Sequence, residues 1–476
     1  MDRLPLEVHV NGIPDYLEAW IVTQRWYAGK GRAPKFEDIG GFELDGAQDG
    51  TPGAVSVRVH LILDHSANPV LYQVPLTERP APLAGGEAAL VATRVAESGP
   101  IYIYDGPRDP AYATALLRLV LDEREVQDPR TSGRLAARGH RYPDGDGLEV
   151  VSSRVLGGEQ SNTSIVYETT RRDGEPGSPV ICKLFRALHD GDNPDVVLTE
   201  ALGAAGSTVA PRVIGHLTGQ WRDSGTPHGL ATGHLAFAEE FLPGVEDAWR
   251  VTLRAADVGE DFTGPSRALG ETTAEMHRTL ATALPSRATT PADIVQIVSN
   301  MRERFEVAAA QVPSLAVYRE ALREVYVRAA SSPWPPLQRI HGDFHLGQVL
   351  AVPDRGWVVL DFEGEPMRPM TERSLPDIPL RDVAGMLRSF DYVAGSIALT
   401  QPGRSVTEWA LACRRAFVDG YIERSGNDVR ANRAVLDAFE IDKALYEAVY
   451  EARNRPAWLS IPRDAITRLV ERATQS

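Results

Sequence analysis

The apolar residues of this chain change their spacing near residue 245, and that change limits the folds open to it. Before it, LEVVSSRVLGGEQSNTSIVYETT (148–170), PVICKLF (179–185) and HLAFAEEFLPG (234–244) alternate polar and apolar positions between Gly, Asn and Ser turns. Period-two spacing predicts antiparallel strands. After it, apolar residues recur every three to four positions through 257–284 and 289–312. They do so again through 382–400, 406–423, 431–451 and 463–473, which predicts helices. Two short β-like runs, QRIHGDFH and WVVLDFEG, interrupt them. Residues 1–100 read as a small α/β unit, with a helix around Tyr16–Gln24 and strands at Val55–Leu63 and Pro69–Pro75. A helical run at 113–124 and a helix-like segment at Asp195–Ala205 complete an α+β chain. Its three expected parts are 1–105, 106–243 and 244–476.

Composition narrows the partners. With 476 residues and 43% hydrophobic content, the chain can fill more than one core. A net charge of −15 disfavours nucleic acid and anionic membrane, since both need clustered Lys and Arg. Cys182 and Cys413 are too few for a disulfide framework or a Cys-rich zinc site. With no signal-peptide pattern and no long apolar run, a soluble, cytoplasmic protein is expected.

The chemistry concentrates in His341-Gly342-Asp343-Phe344-His345-Leu346-Gly347-Gln348, followed by Val358-Val359-Leu360-Asp361-Phe362-Glu363. Two carboxylates 18 positions apart, with a carboxamide between them, suit phosphoryl transfer. One carboxylate orients and deprotonates the attacking hydroxyl, while the other joins a carbonyl oxygen in holding Mg²⁺ against nucleotide phosphates. Asp343 is the expected base, and Gln348 and Asp361 the expected metal ligands. A lone Asp-Gly would read as a turn; the whole set together does not.

The remaining parts are expected upstream. Gly157 to Thr163 forms a flexible turn between strands, where Ser161 and Asn162 can donate to phosphate oxygens. Lys183 ends an apolar strand, as the ATP lysine of kinases does. Glu200, or failing it Asp195, would pair with Lys183 from the next helix. Glu239, Glu240 and Phe241 would form a hinge whose backbone meets adenine. Together these features predict a bilobal, eukaryotic-kinase-like plan.

HGDFHLGQVL, LDFEGEPMRPMTERSLPDIPLRDVAGMLRSFDY and YEAVYEARNRPAWLSIP resemble the maltokinases and their sister family, the actinobacterial glucosamine kinases. QRWYAGKGR and LGGEQSNTSIVYET share the likeness. These belong to the aminoglycoside-phosphotransferase-like kinases. The resemblance implies that fold with an extra N-terminal cap subdomain, an intermediate β subdomain and an α-helical C-lobe, with ATP bound between the last two. It carries catalysis to Asp343 and Mg²⁺ to Gln348 and Asp361. It implies an ATP-dependent sugar kinase whose partners are a small sugar and ATP. Met367, Met370, Ser374 and Ile378 depart from the maltokinase pattern. Glucosamine, giving glucosamine 6-phosphate, is therefore placed ahead of maltose, giving maltose 1-phosphate. A non-catalytic nucleotide-binding regulator is a further alternative; its usual mark, loss of Lys183, Asp343 or Asp361, is missing.

A sugar site needs polar groups for ring hydroxyls and an aromatic face for the ring's C–H side. His345, Gln296, Asn300, Trp409, Tyr446 and Glu447 are the candidates, and Glu447 or Asp437 would meet an amino sugar's ammonium. Arg381, Asp382 and Arg388 share a helix, and Asp382 is expected to brace the catalytic loop. Trp26, Tyr27 and Lys30 are expected to pack the cap.

Overall fold

A computed structural model describes residues 13–45, 55–66, 68–128, 135–157, 161–365 and 368–475. Gly158, Glu159 and Gln160 of the expected phosphate turn, and Met367, lie outside the described residues. The chain divides into two compact units, 1–196 with 212–243, and 197–211 with 244–476. Val197–Pro211 thus packs with the second unit, although it lies inside the range expected for the intermediate part.

The first unit holds α1 (Asp15–Ile21), β1 (Phe36–Leu44), β2 (Ser56–Asp64), β3 (Val70–Arg79), β4 (Leu90–Ala96) and β5 (Gly99–Asp105). It continues through α2 (Pro110–Leu121), β6 (Glu125–Gln127), β7 (Ala136–Arg141), β8 (Leu148–Val155), β9 (Asn162–Arg171), β10 (Val180–Phe185) and β11 (Ala187–Leu188). Then follow α3 (Pro194–Ala204), whose later turns belong to the second unit, β12 (Val213–Arg222) and β13 (Leu230–Glu240). One antiparallel sheet runs β1-β2-β3-β5-β4, with β11 paired to β3. The other runs β6-β7-β12-β13-β10-β9-β8.

β10 and β11 are nearly continuous, so one stretch of chain serves both sheets. Arg186, between them, is buried; it donates to Asp105 at 3.0 Å and to Thr163 at 2.9 Å, and lies 5.0 Å over Trp26. Gln73 reinforces the join by donating to the carbonyls of Phe185 and Leu235. Trp26 and Tyr27 are buried, and the Tyr27 hydroxyl donates to Asp64 at 2.9 Å, so this pair packs the cap. The sequence expectation missed β12, which pairs with the next strand, β13, on one side and with the distant β7 on the other.

The second unit holds β14 (Glu246–Asp247), α4 (Ala248–Val258), α5 (Thr263–Ala283), α6 (Pro291–Gln311), α7 (Arg319–Ala330), β15 (Val349–Val352) and β16 (Gly356–Val359). It ends with α8 (Met370–Arg373), α9 (Leu380–Thr400), α10 (Thr407–Ser425), α11 (Arg433–Asn454) and α12 (Ser460–Gln475). Thr290 caps α6 through a reciprocal box with Asp293. Ser266 is not a cap; it is buried inside α5. β14, β15 and β16 form a small antiparallel sheet, and the helices share one apolar core.

Candidate active site

The expected strand QRIHGDFH is a loop; only its first residue, Gln338, makes an isolated bridge, to Asp377, next to one from the preceding Leu337 to Arg287. Its strand-like composition loses to a local competitor. Gly342 turns into the left-handed region at φ 86°, and Asp382 on α9 takes the backbone N–H groups a neighbouring strand would have used. Asp382 Oδ2 accepts the His341 N–H at 2.8 Å and Oδ1 accepts the Gly342 N–H at 2.9 Å. His277 Nε2 lies 3.0 Å from Asp382 and its Nδ1 lies 3.0 Å from the Tyr421 hydroxyl. His277 therefore steadies a carboxylate. Gly385, one turn further along α9, permits close approach; a Cβ there would meet the Phe344 carbonyl at 2.5 Å.

These contacts fix the loop that presents Asp343. The Asp343 N–H donates to His341 Nδ1 at 3.3 Å, so His341 Nε2 carries the proton shared with the Leu360 carbonyl at 2.9 Å. Phe344 and Phe362 are buried against the His341 ring. Gln348 receives the end of the second motif: its carbonyl accepts the Leu360 N–H at 2.8 Å and its Nε2 donates to Asp361 Oδ2 at 3.0 Å. Asp361 holds a left-handed conformation at φ 62°, uncommon for a non-glycine residue. Asp361 and Glu363 bring carboxylate oxygens within 4.8 Å of each other. Asp361, Glu363 and the Gln348 amide form an all-oxygen donor set of the kind a hard divalent cation prefers.

Asp343 opens on a cavity of about 430 Å³. His345, Tyr446 and Glu447 line it, together with Trp249, Tyr392, Glu451 and Trp458. Tyr392 and Trp458 stack with ring centroids 6.3 Å apart, and Arg455 lies 4.6 Å over Trp458. Glu447 Oε2 accepts from Arg388 at 2.7 and 3.0 Å, and Glu451 accepts from Tyr392 and Arg455 at 3.1 and 2.6 Å.

Burial is the largest influence on Asp343 and pushes its pKa up. Lys443, His345 and the hydrogen bond from Lys443 outweigh it and leave the carboxyl at about 2. Burial lowers His345 below its ordinary value against the pull of Asp343, so the imidazole is neutral at neutral pH. Burial raises Glu447, opposed by Arg388.

Several expected site residues lie elsewhere. Trp409 packs near Phe262, with ring centroids 6.0 Å apart, and donates to the Glu260 carbonyl at 2.6 Å; it lies half-buried against the helical core and does not line the Asp343 cavity. Gln296 and Asn300 bond each other at 2.8 Å on a separate cavity of about 690 Å³. Asp437 is buried and tied to Arg433 and Arg472 at 2.7 and 2.6 Å, which satisfies it structurally.

In the first unit, Lys183 Nζ donates to Asp195 at 2.6 Å and stands 3.5 Å from Glu239. Asp195, placed second from sequence, is therefore the helix carboxylate in this ion pair, ahead of Glu200, five residues further along α3. Its backbone N–H bonds Asn193, which fixes it at the helix start, next to the lysine strand. Glu239 is buried as the second carboxylate near Lys183. At the expected hinge, the Glu240 N–H goes to the Arg212 carbonyl and the Phe241 N–H to the Pro179 carbonyl, both at 2.8 Å. The sheet consumes these donors. Asn162 opens β9 and Ser161 precedes it, exposed.

Lys443, Glu451, Trp458, Tyr392 and Glu365 escaped the sequence reading. A signal existed for α11. Lys443, Tyr446, Glu447, Tyr450 and Glu451 recur at helical spacing on a helix whose other positions are largely apolar and buried.

Residues 20–109 match the family described as the maltokinase N-terminal cap domain, and residues 198–430 match the phosphotransferase enzyme family. A glucosamine kinase of Streptacidiphilus jiangxiensis is 29% identical over 319 residues, 63% of this chain and 67% of that protein. A glucosamine kinase of Mycolicibacterium smegmatis (strain ATCC 700084 / mc(2)155) is 28% identical over 340 residues, 67% of this chain and 79% of that protein. The solved structure of a glucosamine kinase in complex with glucosamine, ADP and inorganic phosphate aligns with a TM-score of 0.64 at 21% identity. The alignment covers 95% of this chain and 98% of that one. Among the described residues, no helix is long and apolar enough to cross a membrane. The likeness in fold agrees with the α+β plan: a segment similar to the phosphotransferase enzyme family follows one similar to the maltokinase-type N-terminal cap.

Proposed function

We propose that this protein is an ATP-dependent sugar kinase that phosphorylates glucosamine at its 6-hydroxyl. The observation that carries the reading is the cavity on Asp343. A carboxylate at one side, aromatic rings and two further carboxylates, Glu447 and Glu451, suit a small cationic polyol. Its volume falls within the ~300–1,000 Å³ usual for small-molecule sites. The rings of Tyr392 and Trp458 suit the C–H face of a pyranose, and the carboxylates suit hydroxyls and an ammonium. The named substrate of the related kinases agrees with that chemistry.

In the reaction, Asp343 accepts the proton of the sugar hydroxyl as the oxygen attacks the γ-phosphorus of ATP. The new O–P bond forms, the bond to the β-bridging oxygen breaks, and its electron pair leaves on ADP. Asp361 and the Gln348 amide oxygen would hold Mg²⁺; the two side chains already lie together, joined by the Gln348 Nε2 bond to Asp361 Oδ2. Mg²⁺ supplies neutralisation of phosphate charge. Lys183, oriented by Asp195 and Glu239, would bind phosphate oxygens, beside Ser161 and Asn162 of the turn. The protein's contribution is mainly positioning and charge.

An ADP-release assay with Mg·ATP and glucosamine, glucose or maltose tests the substrate. The highest kcat/KM is expected for glucosamine. Preference for maltose, the reading that the cap match favours, would replace it. No ADP release with any of the three sugars would overturn the sugar-kinase reading.

A further inference from the structure

Lys443, on the polar stripe of α11, has no part in the roles assigned above, yet it makes the shortest ion pair found on Asp343. Its Nζ donates to Asp343 Oδ1 at 2.8 Å and to Glu365 Oε1 at 3.3 Å, and lies 4.6 Å from the Tyr446 ring centroid. The other Glu365 oxygen faces Arg304 at 3.3 Å and Arg368 at 3.5 Å. Lys443 is thus held in place from two sides, with only a small part of its side chain exposed. A lysine serving solubility alone would not be buried between two carboxylates.

The groups acting on Asp343 come from three elements. Lys443 comes from α11, His341 and His345 from the loop, and Arg373, whose charge also interacts with Glu363, Asp361 and Glu365, from α8. The two imidazoles belong to the loop's own scaffold, through the Leu360 carbonyl and the Gly347 N–H. Lys443 is the group that takes one named oxygen of the carboxylate.

We propose that Lys443 is a positioning residue for the transfer: by occupying Oδ1 of Asp343 it turns Oδ2 toward the acceptor hydroxyl. The inference rests on the reading of Asp343 as the base. The hydroxyl proton passes to Oδ2 as the O–P bond forms, and the β,γ-bridging oxygen leaves with the electron pair of the broken bond. Asp343, at about 2, is a weak proton acceptor before that moment. It orients the hydroxyl first and takes the proton late, which suits a transition state with little nucleophilic bonding.

The test compares Lys443→Met, Lys443→Arg and Asp343→Asn in the full chain with glucosamine and Mg·ATP. Lys443→Met should lower kcat by about 10–100-fold, the usual cost of losing an outer partner, and leave KM for ATP near the parent value. Its kcat should also gain an acid limb at higher pH than the parent's, and Lys443→Arg should restore part of both. Unchanged kcat and an unchanged pH profile in Lys443→Met overturn the proposal. If Asp343→Asn stays active, the reading of the base falls; if it is inactive while Lys443→Met behaves like the parent, only the role of Lys443 falls. Should Lys443→Met fail to fold, Glu365→Gln takes its place. A kcat loss with the same acid-limb shift supports the proposal, and parent-like kinetics overturn it.

Discussion

Asp382 holds the backbone of His341: its Oδ2 accepts that N–H at 2.8 Å from the first turn of α9. Its other oxygen takes the Gly342 N–H, so one buried carboxylate sets the course of the chain two residues before Asp343. Asp382→Ala strands a buried and a part-buried donor and is expected to destabilise the fold by about 2–6 kcal/mol, at ~1–3 for each unsatisfied group. Asp382→Asn keeps one acceptor and should fold, with kcat reduced about 10–100-fold as the loop loses its alignment. Urea unfolding and steady-state kinetics on the two variants separate these effects.

Lys183 is expected to act on the nucleotide and not on the sugar. Replacement by Met removes a charged hydrogen-bond donor worth about 1.5–3 kcal/mol, or roughly 10–150-fold. The loss should fall on KM for ATP and on kcat/KM for ATP. Titration calorimetry with ADP would show the weakened binding directly, and an unchanged affinity would exclude this role for Lys183.

Acid should unfold the second unit through its buried carboxylates. Burial, the largest influence on each, pushes Asp343, Glu365 and Glu440 up, but their basic partners hold all three below the ordinary range, Asp343 and Glu440 at about 2. A carboxylate with a depressed folded pKa stabilises fully above its unfolded value of about 4 and loses that contribution as pH falls toward the folded value. Stability should therefore drop between about pH 4 and pH 2. Glu447 and Asp437 have the opposite sign: burial raises them, and protonation on acidification favours the fold. Urea midpoints measured from pH 7 to pH 3 should stay level, then decline. Glu440→Gln should flatten the decline.

The aromatic wall makes a contrast between two tryptophans. Trp458→Ala removes the ring that stacks on Tyr392 and lies under Arg455, so KM for glucosamine should rise by about tenfold or more while KM for ATP holds. Trp409→Phe keeps an aromatic ring beside Phe262, away from the Asp343 cavity, and should change neither KM by more than about twofold. Initial-rate measurements in both substrates decide the matter. An equal effect of the two variants would argue against the site described.

The sequence by itself determined the parts whose meaning is local. The alternation before residue 245 and the helical spacing after it carry the α+β plan, because period-two and period-3.6 burial are properties of short segments. The pair of motifs at 341–348 and 358–363 was legible because their residues lie close in the chain and their chemistry is shared. Tertiary structure decided which of several equivalent side chains meet. Asp195 and Glu200 sit on one helix, and only the docking of α3 places Asp195 at 2.6 Å from Lys183. QRIHGDFH has the composition of a strand, but Asp382, some forty residues later, captures the backbone groups a strand would have paired. Trp409 and Trp458 carry the same ring, and tertiary packing lays one half-buried against the core and the other along the cavity. Lys443 shows the limit most clearly. It lies 100 residues from Asp343 in sequence, and an ion pair across that distance exists only once α11 has packed against α9. Ion pairs of this kind are set by the approach of two surfaces, and no periodicity along the chain encodes it.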